Sequence, residues 1–507
     1  MKIRNKFLSM SLCLIGLTGC NNNMDYVSND PRSAEAGAPT CYDVNDLYST
    51  YSAFFKPAKG WVGDPMPFYE NGKFHIFYLH DVRDGSPTFH PWYKATTENF
   101  SSFTDNGEMI PTGTIEQQDR ALGTGSVFKH NGVYYGFYTG HNGDLDPHEK
   151  IMLATSTDLN TWTKDPSFHL AASDGYDRNE FRDPLIIKDE ASGTFRMLIS
   201  TRADYKGSWR AVIAQYTSTD LRNWKLIEPF YDDPNTFMLE CPDVFTMGDY
   251  QYFIYSNIDD RKVHYQFRKG TTGAWTIPSN SALDGIAFYA GKTASDGTDR
   301  YITAWCPTRE NHRDYTNFNW AGSLITHKLI QNGDGTIAMT YPHGLNDKLV
   351  NSQNLNRTSS VNTNIESNSF TLKASSEQAV SVFDRQEGTY KISSKVKATT
   401  SNSFGFEFGS CGNRREVYTI VFDLEQHQLR LERRVFGEDP LRIDNVKLNV
   451  PDNKEFDVTI MVENSICVVY VNHQTAFTNR IYKMNWNPWG IFSDNGEVTF
   501  SNLNLSK

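Results

Sequence analysis

The sequence predicts an all-β protein, a five-bladed β-propeller followed by a C-terminal β-sandwich. An aromatic-rich pattern recurs about every 50–60 residues between residues 50 and 345, the spacing of propeller blades. No stretch of that region keeps a helical periodicity of apolar residues. The aromatic content is 13%, and aromatic side chains favour strands. Their flat faces also suit sugar rings, so a carbohydrate-active protein is the first functional hypothesis.

Each copy of the repeat is a turn residue followed by a short aromatic-rich strand. A blade of four short strands fits this period. A second pattern, exemplified by ATSTDLNTW from Ala154 and YTSTDLRNW from Tyr216, keeps the same spacing, so accidental similarity within a β-sandwich is a weak alternative. The five copies begin at Asn71, Asn131, Ser192, Gly248 and Thr298.

The N-terminus resembles a bacterial export signal. A positively charged start precedes an apolar stretch, residues 7–17, that is too short to span a bilayer. It ends in LTGC, which fits a lipoprotein signal: residues 1–19 are removed and Cys20 carries lipid. Cleavage of an ordinary signal peptide near Gly19 is the alternative. Polar residues 20–49 predict a flexible tether. Because Asn21 follows Cys20, we expect an exported outer-membrane lipoprotein, at the cell surface or on the periplasmic face.

Composition excludes several functions. The 507-residue chain has a net charge of −11 and no long basic run, which argues against nucleic-acid binding. Seven cysteines are present, and an odd number remains once Cys13 and Cys20 are set aside, so a disulfide scaffold is not expected. The chain has no CxxC or HxxxH spacing. A structural zinc site is therefore not expected, and the hydrolysis expected below needs neither a metal nor another cofactor.

The strand before each repeat is the candidate innermost strand of its blade. Innermost strands run side by side around the propeller axis, so their N-terminal ends meet at one mouth of the channel. Asp64, Asp183 and Glu240 occupy equivalent starting positions in blades one, three and four. Blade two has residues 123–126 at this position, and blade five has Asp284. The sequence therefore predicts that three acids distant in the chain converge in one funnel.

Three carboxylates in one funnel favour catalysis. Like charges at close range destabilise a site and raise one pKa. A glycosidase uses this arrangement, because one carboxylate attacks the sugar carbon and a protonated acid donates to the leaving oxygen. A third carboxylate accepts hydrogen bonds from sugar hydroxyls. The acids therefore predict a glycosidase.

Five short motifs surround these acids or follow them in the chain. They are WVGDP from Trp61, RDP from Arg182, ECP from Glu240, DGIAFYA from Asp284 and WAG from Trp320. In this order they resemble the motifs of glycoside hydrolase family 32, the β-fructosidases such as invertase, levanase and inulinase. The resemblance covers most of the mature chain and implies a propeller followed by a sandwich. It also implies that Asp64 is the nucleophile, Asp183 stabilises the transition state and Glu240 is the general acid/base.

The sequence also departs from the family pattern. Gly63 stands where the family usually has Asn, Met66-Pro67 replaces Asn-Gly, and Leu79 replaces Gln. Gly63 and Leu79 predict a roomier, less polar pocket floor. For Trp61 and Trp92, a sugar platform and core packing are equally open. The predicted substrate-binding residues are Trp61, His80, Trp92, Ser126, Arg182, Cys241 and Asp284. Further candidates in the loops of blades one and two are Asp81, His90, Gln118, Asp119 and His141.

The predicted domains are the propeller at 50–345 and the sandwich at 346–507, whose residues 456–482 alternate as half-buried strands do. We expect a hydrolase that cleaves β-fructofuranosidic bonds of fructans or fructo-oligosaccharides with retention, through a fructosyl-enzyme. Its partners are the glycan and, through Cys20, a membrane. An arabinan-type propeller glycosidase and a non-catalytic glycan-binding lipoprotein are the alternatives.

Overall fold

The computed structural model describes residues 51, 53–190, 192–314, 316–411, 414–484 and 487–507. The predicted signal peptide, the tether and Cys20 lie outside these residues. Within them, no helix is both long and apolar enough to cross a membrane.

In the described part of the chain, strands β1 to β19 form the first part of the fold. Strands that are neighbours in the sequence pair with one another in antiparallel sets. The pairing gives five antiparallel sets, β1–β4, β5–β8, β9–β12, β13–β15 and β16–β19. The strands are β1 (Trp61–Glu70), β2 (Lys73–Asp81), β3 (Trp92–Thr97), β4 (Thr104–Ile110), β5 (Ala121–His130), β6 (Val133–His141), β7 (Glu149–Ser156), β8 (Thr163–Leu170), β9 (Tyr176–Lys188), β10 (Phe195–Tyr205), β11 (Ser208–Ser218), β12 (Lys225–Asp233), β13 (Leu239–Met247), β14 (Tyr250–Asn257), β15 (Lys262–Lys269), β16 (Tyr289–Ser295), β17 (Arg300–Arg309), β18 (Phe318–Gln331) and β19 (Ile337–Thr340).

Asn-Gly pairs make the tight turns between first and second strands. In the β1–β2 hairpin, Asn71 and Gly72 have φ of 52° and 78°, and in the β5–β6 hairpin Asn131 and Gly132 have 48° and 78°. Two consecutive positive φ values match the right-handed twist of a hairpin, and Asn and Gly adopt them at low cost. The turn residues of the repeat therefore fix the strand pairing of these two sets.

The first strands of the five sets line a common axis. Contacts run from β1 to β5, β9, β13 and β16 and back to β1, so the ring is closed. Val62 of β1 also pairs with Gly322 of β18, which joins the last set to the first. The fourth set has three regular strands; the segment after it pairs with them through three isolated bridges and contains Pro278, which has no N–H to donate.

The remaining strands form two packed sheets. One sheet has the order β22-β23-β34-β25-β30-β31-β32 with β20 beside β34, and the other has the order β21-β24-β33-β26-β27-β28-β29. Large side chains such as Phe404, Phe456 and Trp489 fill the space between them. The elements are α1 (His343–Lys348), β20 (Ser352–Gln353), β21 (Arg357–Val361), β22 (Thr363–Glu366), β23 (Ser369–Ala374), β24 (Ala379–Phe383), β25 (Thr389–Ala398), β26 (Ser403–Cys411), β27 (Glu416–Asp423), β28 (Gln428–Val435), β29 (Leu441–Lys447), β30 (Glu455–Glu463), β31 (Ile466–Val471), β32 (Thr475–Arg480), β33 (Trp489–Ser493) and β34 (Gly496–Ser506), with short 3-10 helices at Glu310–His312 and Tyr482–Met484.

The propeller and the sandwich share a buried contact. Apolar side chains of β14, β15 and β17 pack in one cluster with Val468 and Tyr470 of β31. The buried Asp284 carboxylate, which precedes β16, accepts hydrogen bonds from the N–H and the hydroxyl of Thr478 at 2.8 and 2.6 Å. The prediction of an all-β propeller followed by a sandwich is confirmed.

Candidate active site

Irregular backbone positions the candidate catalytic residues. The register of the innermost strands shifts next to Asp64 in β1 and next to Glu240 in β13. Asp64, Asp183 and Cys241 have φ of 34°, 60° and 52°, values that non-glycine residues adopt only when the surrounding structure enforces them. Bulges of this kind re-aim side chains near active sites. Here they bring side chains from different blades toward one mouth of the channel.

The Asp64 carboxylate is held from both sides. Its Oδ2 accepts a hydrogen bond of 2.6 Å from the hydroxyl of Thr124 in β5, and its Oδ1 accepts one of 2.9 Å from the indole N–H of Trp305 in β17. These donors belong to the neighbouring blades on either side. The orientation of Asp64 is therefore fixed by three different strands.

Asp183 is the most deeply buried of the three acids, with 3% of its surface exposed. Its Oδ2 accepts a hydrogen bond of 2.8 Å from the backbone N–H of Cys241. Its own N–H donates to the hydroxyl of Thr139, which in turn donates to the carbonyl of Thr124. Asp183 is thus linked on one side to the residue after Glu240 and on the other to the residue that holds Asp64.

Both carboxyl oxygens of Glu240 accept hydrogen bonds. Arg182 donates to Oε1 at 3.0 Å, and the hydroxyl of Tyr289 donates to Oε2 at 2.6 Å. The Tyr289 ring also contacts Trp305 edge-on, with 5.9 Å between centroids. Asp64, Trp305, Tyr289 and Glu240 therefore form a continuous chain of contacts. Together with the links through Asp183, the three acids lie in one closed network.

Arg182 is tied to several carboxylates at once. It forms ion pairs with Glu240, with Glu149 at 3.3 Å and with Glu180. Burial alone would lower the pKa of Arg182, but the carboxylates around it raise that pKa well above its usual value. The guanidinium stays charged, so it offsets part of the repulsion among the acids.

Burial and mutual repulsion alter the ionisation of the acids. Burial raises the pKa of Asp64 to about 6, and the charge of Glu240 adds to the rise while the Thr124 hydrogen bond opposes it. Burial also raises the pKa of Asp183 to about 7, against the opposing charge of Arg182. The pKa values of Asp64 and Asp183 therefore lie closer to neutral pH than is usual for a carboxyl group, as those of perturbed groups in active sites do.

The hydrogen bond from Thr124 predicts a specific pH effect. Thr124→Val keeps the shape of the side chain but removes the donor that lowers the pKa of Asp64. If ionised Asp64 is the reactive form, as we propose below, the acidic limb of the kcat/KM profile should move upward from near pH 6 by about one to two units, since a hydrogen bond to a charged group contributes about 1.5–3 kcal/mol. Thr124→Ser, which keeps the hydroxyl, should retain the wild-type limb. An unchanged limb in Thr124→Val would show that another group controls it.

The expected space at Gly63 is filled. A Cβ atom at residue 63 would lie 2.2 Å from the six-membered ring of Trp320, whose indole stacks on His90 with 4.2 Å between centroids. Arg83 fixes Trp320 by donating to its carbonyl at 2.5 Å. Leu79 is buried in the apolar cluster between blades one and two. The prediction of a roomier pocket floor is therefore wrong, because an aromatic ring occupies the volume beside Asp64.

Gly63 and Trp320 form a pair that is testable by substitution. Gly63→Ala should lower both the melting temperature and kcat/KM, the latter about tenfold, because the ring of Trp320 has to shift and overpacking of this kind costs about 1–3 kcal/mol. Gly63→Ala combined with Trp320→Ala should recover the melting temperature. Thermal melts and initial rates of both variants measure this. A Gly63→Ala variant with wild-type stability would contradict the tight packing.

Of the predicted substrate-binding residues, Arg182 and the backbone N–H of Cys241 lie in the network, and the other predicted side chains contact other parts of the protein. Trp92 is fully buried and donates its indole N–H to the Gly123 carbonyl at 3.0 Å, so for this residue core packing is correct. Trp61 is also buried, with the cations of Lys56 and Arg83 over its ring.

The polar candidates His80 and Ser126 also make contacts within the protein. The His80 ring contacts the Lys59 carbonyl at 2.6 Å, and Ser126 accepts a hydrogen bond from the N–H of Ile186 at 3.2 Å. Asp284 faces the sandwich, as described above, and not the mouth. The sequence predicts Asp284 at the start of the innermost strand of blade five. That strand, β16, begins only at Tyr289, so Asp284 lies before it and not at the position of the other acids.

The remaining candidates also contact other residues of the protein. The Cys241 thiol is buried beside Tyr289, Ala290 and Trp305, and only its backbone N–H serves the site. Asp119 is buried and pairs with Lys164 at 2.6 Å. The other candidates also have protein contacts: Asp81 pairs with Arg83, His90 stacks on Trp320, Gln118 donates to the Gly140 and His148 carbonyls, and His141 lies 3.5 Å from Glu149.

Sequence reasoning missed Thr124, Tyr289 and Trp305. A signal existed for each: Thr124 lies in the blade-two segment at the position of the acids, Tyr289 lies in the DGIAFYA motif, and Trp305 lies in the fifth copy of the repeat. These three act as hydrogen-bond donors, whereas the sequence-based prediction rested on charged residues. Among the residues that the structure describes, no group of three or more His, Cys, Asp or Glu side chains is arranged to hold a metal ion.

Three linked carboxyl groups at one mouth of a propeller are typical of the glycoside hydrolases that are built on this fold. Comparison with known families identifies which one. Residues 54–342 match the model of the glycosyl hydrolases family 32 N-terminal domain, and residues 335–505 match that of the GH32, BT1760-like, C-terminal domain. The chain belongs to glycoside hydrolase family 32, and the resemblance inferred from the motifs is confirmed.

Individual relatives are distant. The levanbiose-producing levanase of Bacillus subtilis is 23% identical over 89% of each chain. Beta-fructofuranosidase, insoluble isoenzyme 1, of Daucus carota is 24% identical over 57% of this chain, and the match spans only 54% of the carrot enzyme's length. The fold of Aspergillus kawachii beta-fructofuranosidase superposes with a TM-score of 0.71 at 17% identity, covering 97% of this chain and 98% of that one.

Proposed function

We propose that the protein hydrolyses β-fructofuranosidic bonds of fructans or fructo-oligosaccharides with retention of configuration. One observation carries this proposal: Asp64, Asp183 and Glu240 lie in one closed network of contacts at the mouth of the propeller, on the motifs of a fructosidase family. Two carboxyl groups that attack and protonate a glycosidic bond are the minimum requirement of this chemistry.

The proposed reaction has two steps. Asp64 attacks the anomeric carbon while Glu240 gives its proton to the leaving oxygen, so one C–O bond forms as another breaks. Water then attacks the fructosyl-enzyme, Glu240 takes the water's proton, and Asp64 is released. Asp183 accepts hydrogen bonds from the fructosyl hydroxyls. Tyr289 supports both steps because its hydroxyl can donate to ionised Glu240 or accept from the protonated form.

The contacts of Arg182 fit the same cycle. Its hydrogen bond to Glu240 holds the carboxyl group in one orientation, and its charge stabilises the ionised form that exists after proton donation. Trp305 orients Asp64 from the other side. The site is therefore rigid before substrate binds, which lowers the cost of reaching the transition state.

We propose a fructan rather than sucrose as the preferred substrate. The levanase named above shows that a relative named for a polymeric fructan aligns over 89% of both chains. Trp320 places an aromatic ring beside the nucleophile where the family usually has an amide. We propose that stacking replaces a polar contact there, so that binding energy comes from sugar faces along a chain.

Initial rates on levan, inulin, sucrose and arabinan test the proposal. Release of reducing sugar from levan or inulin, with a smaller kcat/KM on sucrose, is the expected result, and the two fructans distinguish the linkage. Activity on arabinan alone would replace the proposal by an arabinan-type enzyme. No activity on any of the four would favour a non-catalytic glycan-binding protein. Proton NMR of the first product formed distinguishes retention from inversion.

We also propose that the enzyme is an exported lipoprotein, held at the outer membrane through Cys20. The LTGC motif after a short apolar stretch supports this. Incorporation of labelled fatty acid into the wild-type chain, and its loss in Cys20→Ser, is the expected result. Protease accessibility on intact cells distinguishes the cell surface from the periplasmic face.

A further inference from the structure

A long hairpin in the third blade projects beyond the acids. Strands β10 and β11 pair without a shift from Phe195 to the turn at Tyr205, and Ser200 lies opposite Arg182 of β9. The residues after Ser200 therefore extend past Asp183 on the side of the mouth. Trp209 of this hairpin is 43% exposed, and Phe237, just before β13, is 45% exposed. Large apolar side chains this exposed usually mark a binding surface when they lie together.

The register of the hairpin places these two rings on one face. Trp209 pairs with Asp204, and Ala211 pairs with Arg202, so Trp209 and Arg202 are diagonal neighbours on the same side of the sheet. The Arg202 guanidinium lies over the Phe237 ring, 4.4 Å from its centroid. Tyr205 pairs with Ser208 and, by strand alternation, points to the opposite face. Trp209, Arg202 and Phe237 therefore form one surface, the hairpin platform, and Tyr205 is not part of it.

Ion pairs connect the hairpin platform to the catalytic network. Arg202 lies 3.7 Å from Glu180, and Glu180 pairs with Arg182, which holds Glu240. Arg202 is also fixed by Asp177 at 2.6 Å. Arg202 is therefore held in place, and it connects the platform to the candidate active site on the side of the proposed general acid, where the leaving sugar departs.

The chemistry of the hairpin platform fits a sugar chain. Two exposed rings offer flat apolar faces, while the exposed Asp204 carboxylate on the same face offers an acceptor for hydroxyl groups. Such a surface binds one or two sugar units weakly and gains from units already held in the active site.

We propose that the hairpin platform is an outer binding site for the leaving-group side of a fructan chain, several units from the bond that is cut. The proposal rests on the proposed function and deepens it. It implies that binding energy from remote sugar units contributes to catalysis on polymers and not on short substrates.

The test compares a fructan polymer with a trisaccharide of the same linkage. For Trp209→Ala and for Phe237→Ala, the ratio of kcat/KM on the polymer to kcat/KM on the trisaccharide should fall about tenfold, through KM. Tyr205→Ala, which removes an exposed aromatic ring from the other face of the same hairpin, is the matched control and should keep the wild-type ratio. Binding of the polymer to the Asp64→Asn variant, with and without Trp209→Ala, measures the same effect without turnover.

The possible outcomes separate the two proposals. If the wild type cleaves neither substrate, the proposed function fails. If the wild type cleaves both and Trp209→Ala keeps the ratio, the hairpin platform alone is overturned. If Trp209→Ala keeps the ratio but changes the mass found by sedimentation, the face is an interface between copies of the chain, which also overturns the proposal. Equal losses in Trp209→Ala and Tyr205→Ala would indicate damage to the hairpin and would overturn it too.

Discussion

Asp64→Asn is expected to lower kcat on every fructoside by about 10,000-fold or more, because it removes the proposed nucleophile while keeping nearly the same shape. The amide still accepts from Trp305 through its oxygen, so the local packing survives. Initial rates on a fructan and on an activated aryl fructoside both measure the loss. Comparable residual activity on either substrate, within tenfold of the wild type, would exclude Asp64 as the nucleophile.

A stability measurement controls for misfolding in this variant. Burial raises the pKa of Asp64 to about 6, so the folded protein holds this proton more tightly than the unfolded chain does. The wild type therefore loses stability as the pH rises from the unfolded value near 4 to about 6, whereas the amide of the Asp64→Asn variant does not titrate. Asp64→Asn should melt at or above the wild-type temperature at pH 7.5, with a smaller difference at pH 4.5. A lower melting temperature at pH 7.5 would indicate a disturbed fold.

Glu240→Gln is expected to show a loss that depends on the leaving group. On fructans, kcat/KM should fall about 1,000-fold, because a poor leaving oxygen needs a proton in the transition state. On an aryl fructoside with an acidic phenol, kcat/KM should fall only about tenfold, since the phenolate leaves without protonation. Both rates are measured on the same preparation, so folding affects them equally.

A comparison of two variants tests the role of Glu240 as the general acid. Tyr289→Phe removes the hydrogen bond to Oε2 but leaves the carboxyl group, so its loss should be smaller than that of Glu240→Gln and similar on both substrates. Equal losses for Glu240→Gln on the fructan and on the aryl fructoside would contradict the role of Glu240 as the acid.

The repeat made the position of the acids predictable. Asp64 and Asp183 lie on first strands of their sets, and a propeller brings such strands to one axis whatever their distance in sequence. Turn residues such as Asn71-Gly72 fix the hairpins locally, so the strand pairing follows from short-range chemistry. The motifs then added the candidate roles that geometry alone does not give.

The partners of the acids were not predictable in the same way. Thr124, Trp305 and Tyr289 reach the site from neighbouring blades, and nothing in a local pattern states which side chain crosses between blades. Asp284 shows the opposite case, because its motif resembled a site motif while its carboxylate is used by Thr478 of the sandwich. A carboxyl group at a strand start has the same local sequence whether it faces substrate or another domain.

By itself, the sequence determined the fold class, the family and the three acids, because repeat spacing, turn chemistry and motif order are local properties of the chain. The tertiary structure decided the shape and polarity of the pocket, because these depend on which side chains approach from distant strands. Gly63 is the clearest example: in the sequence it predicts empty space, and in the fold the ring of Trp320, from the strand that closes the propeller, fills that space.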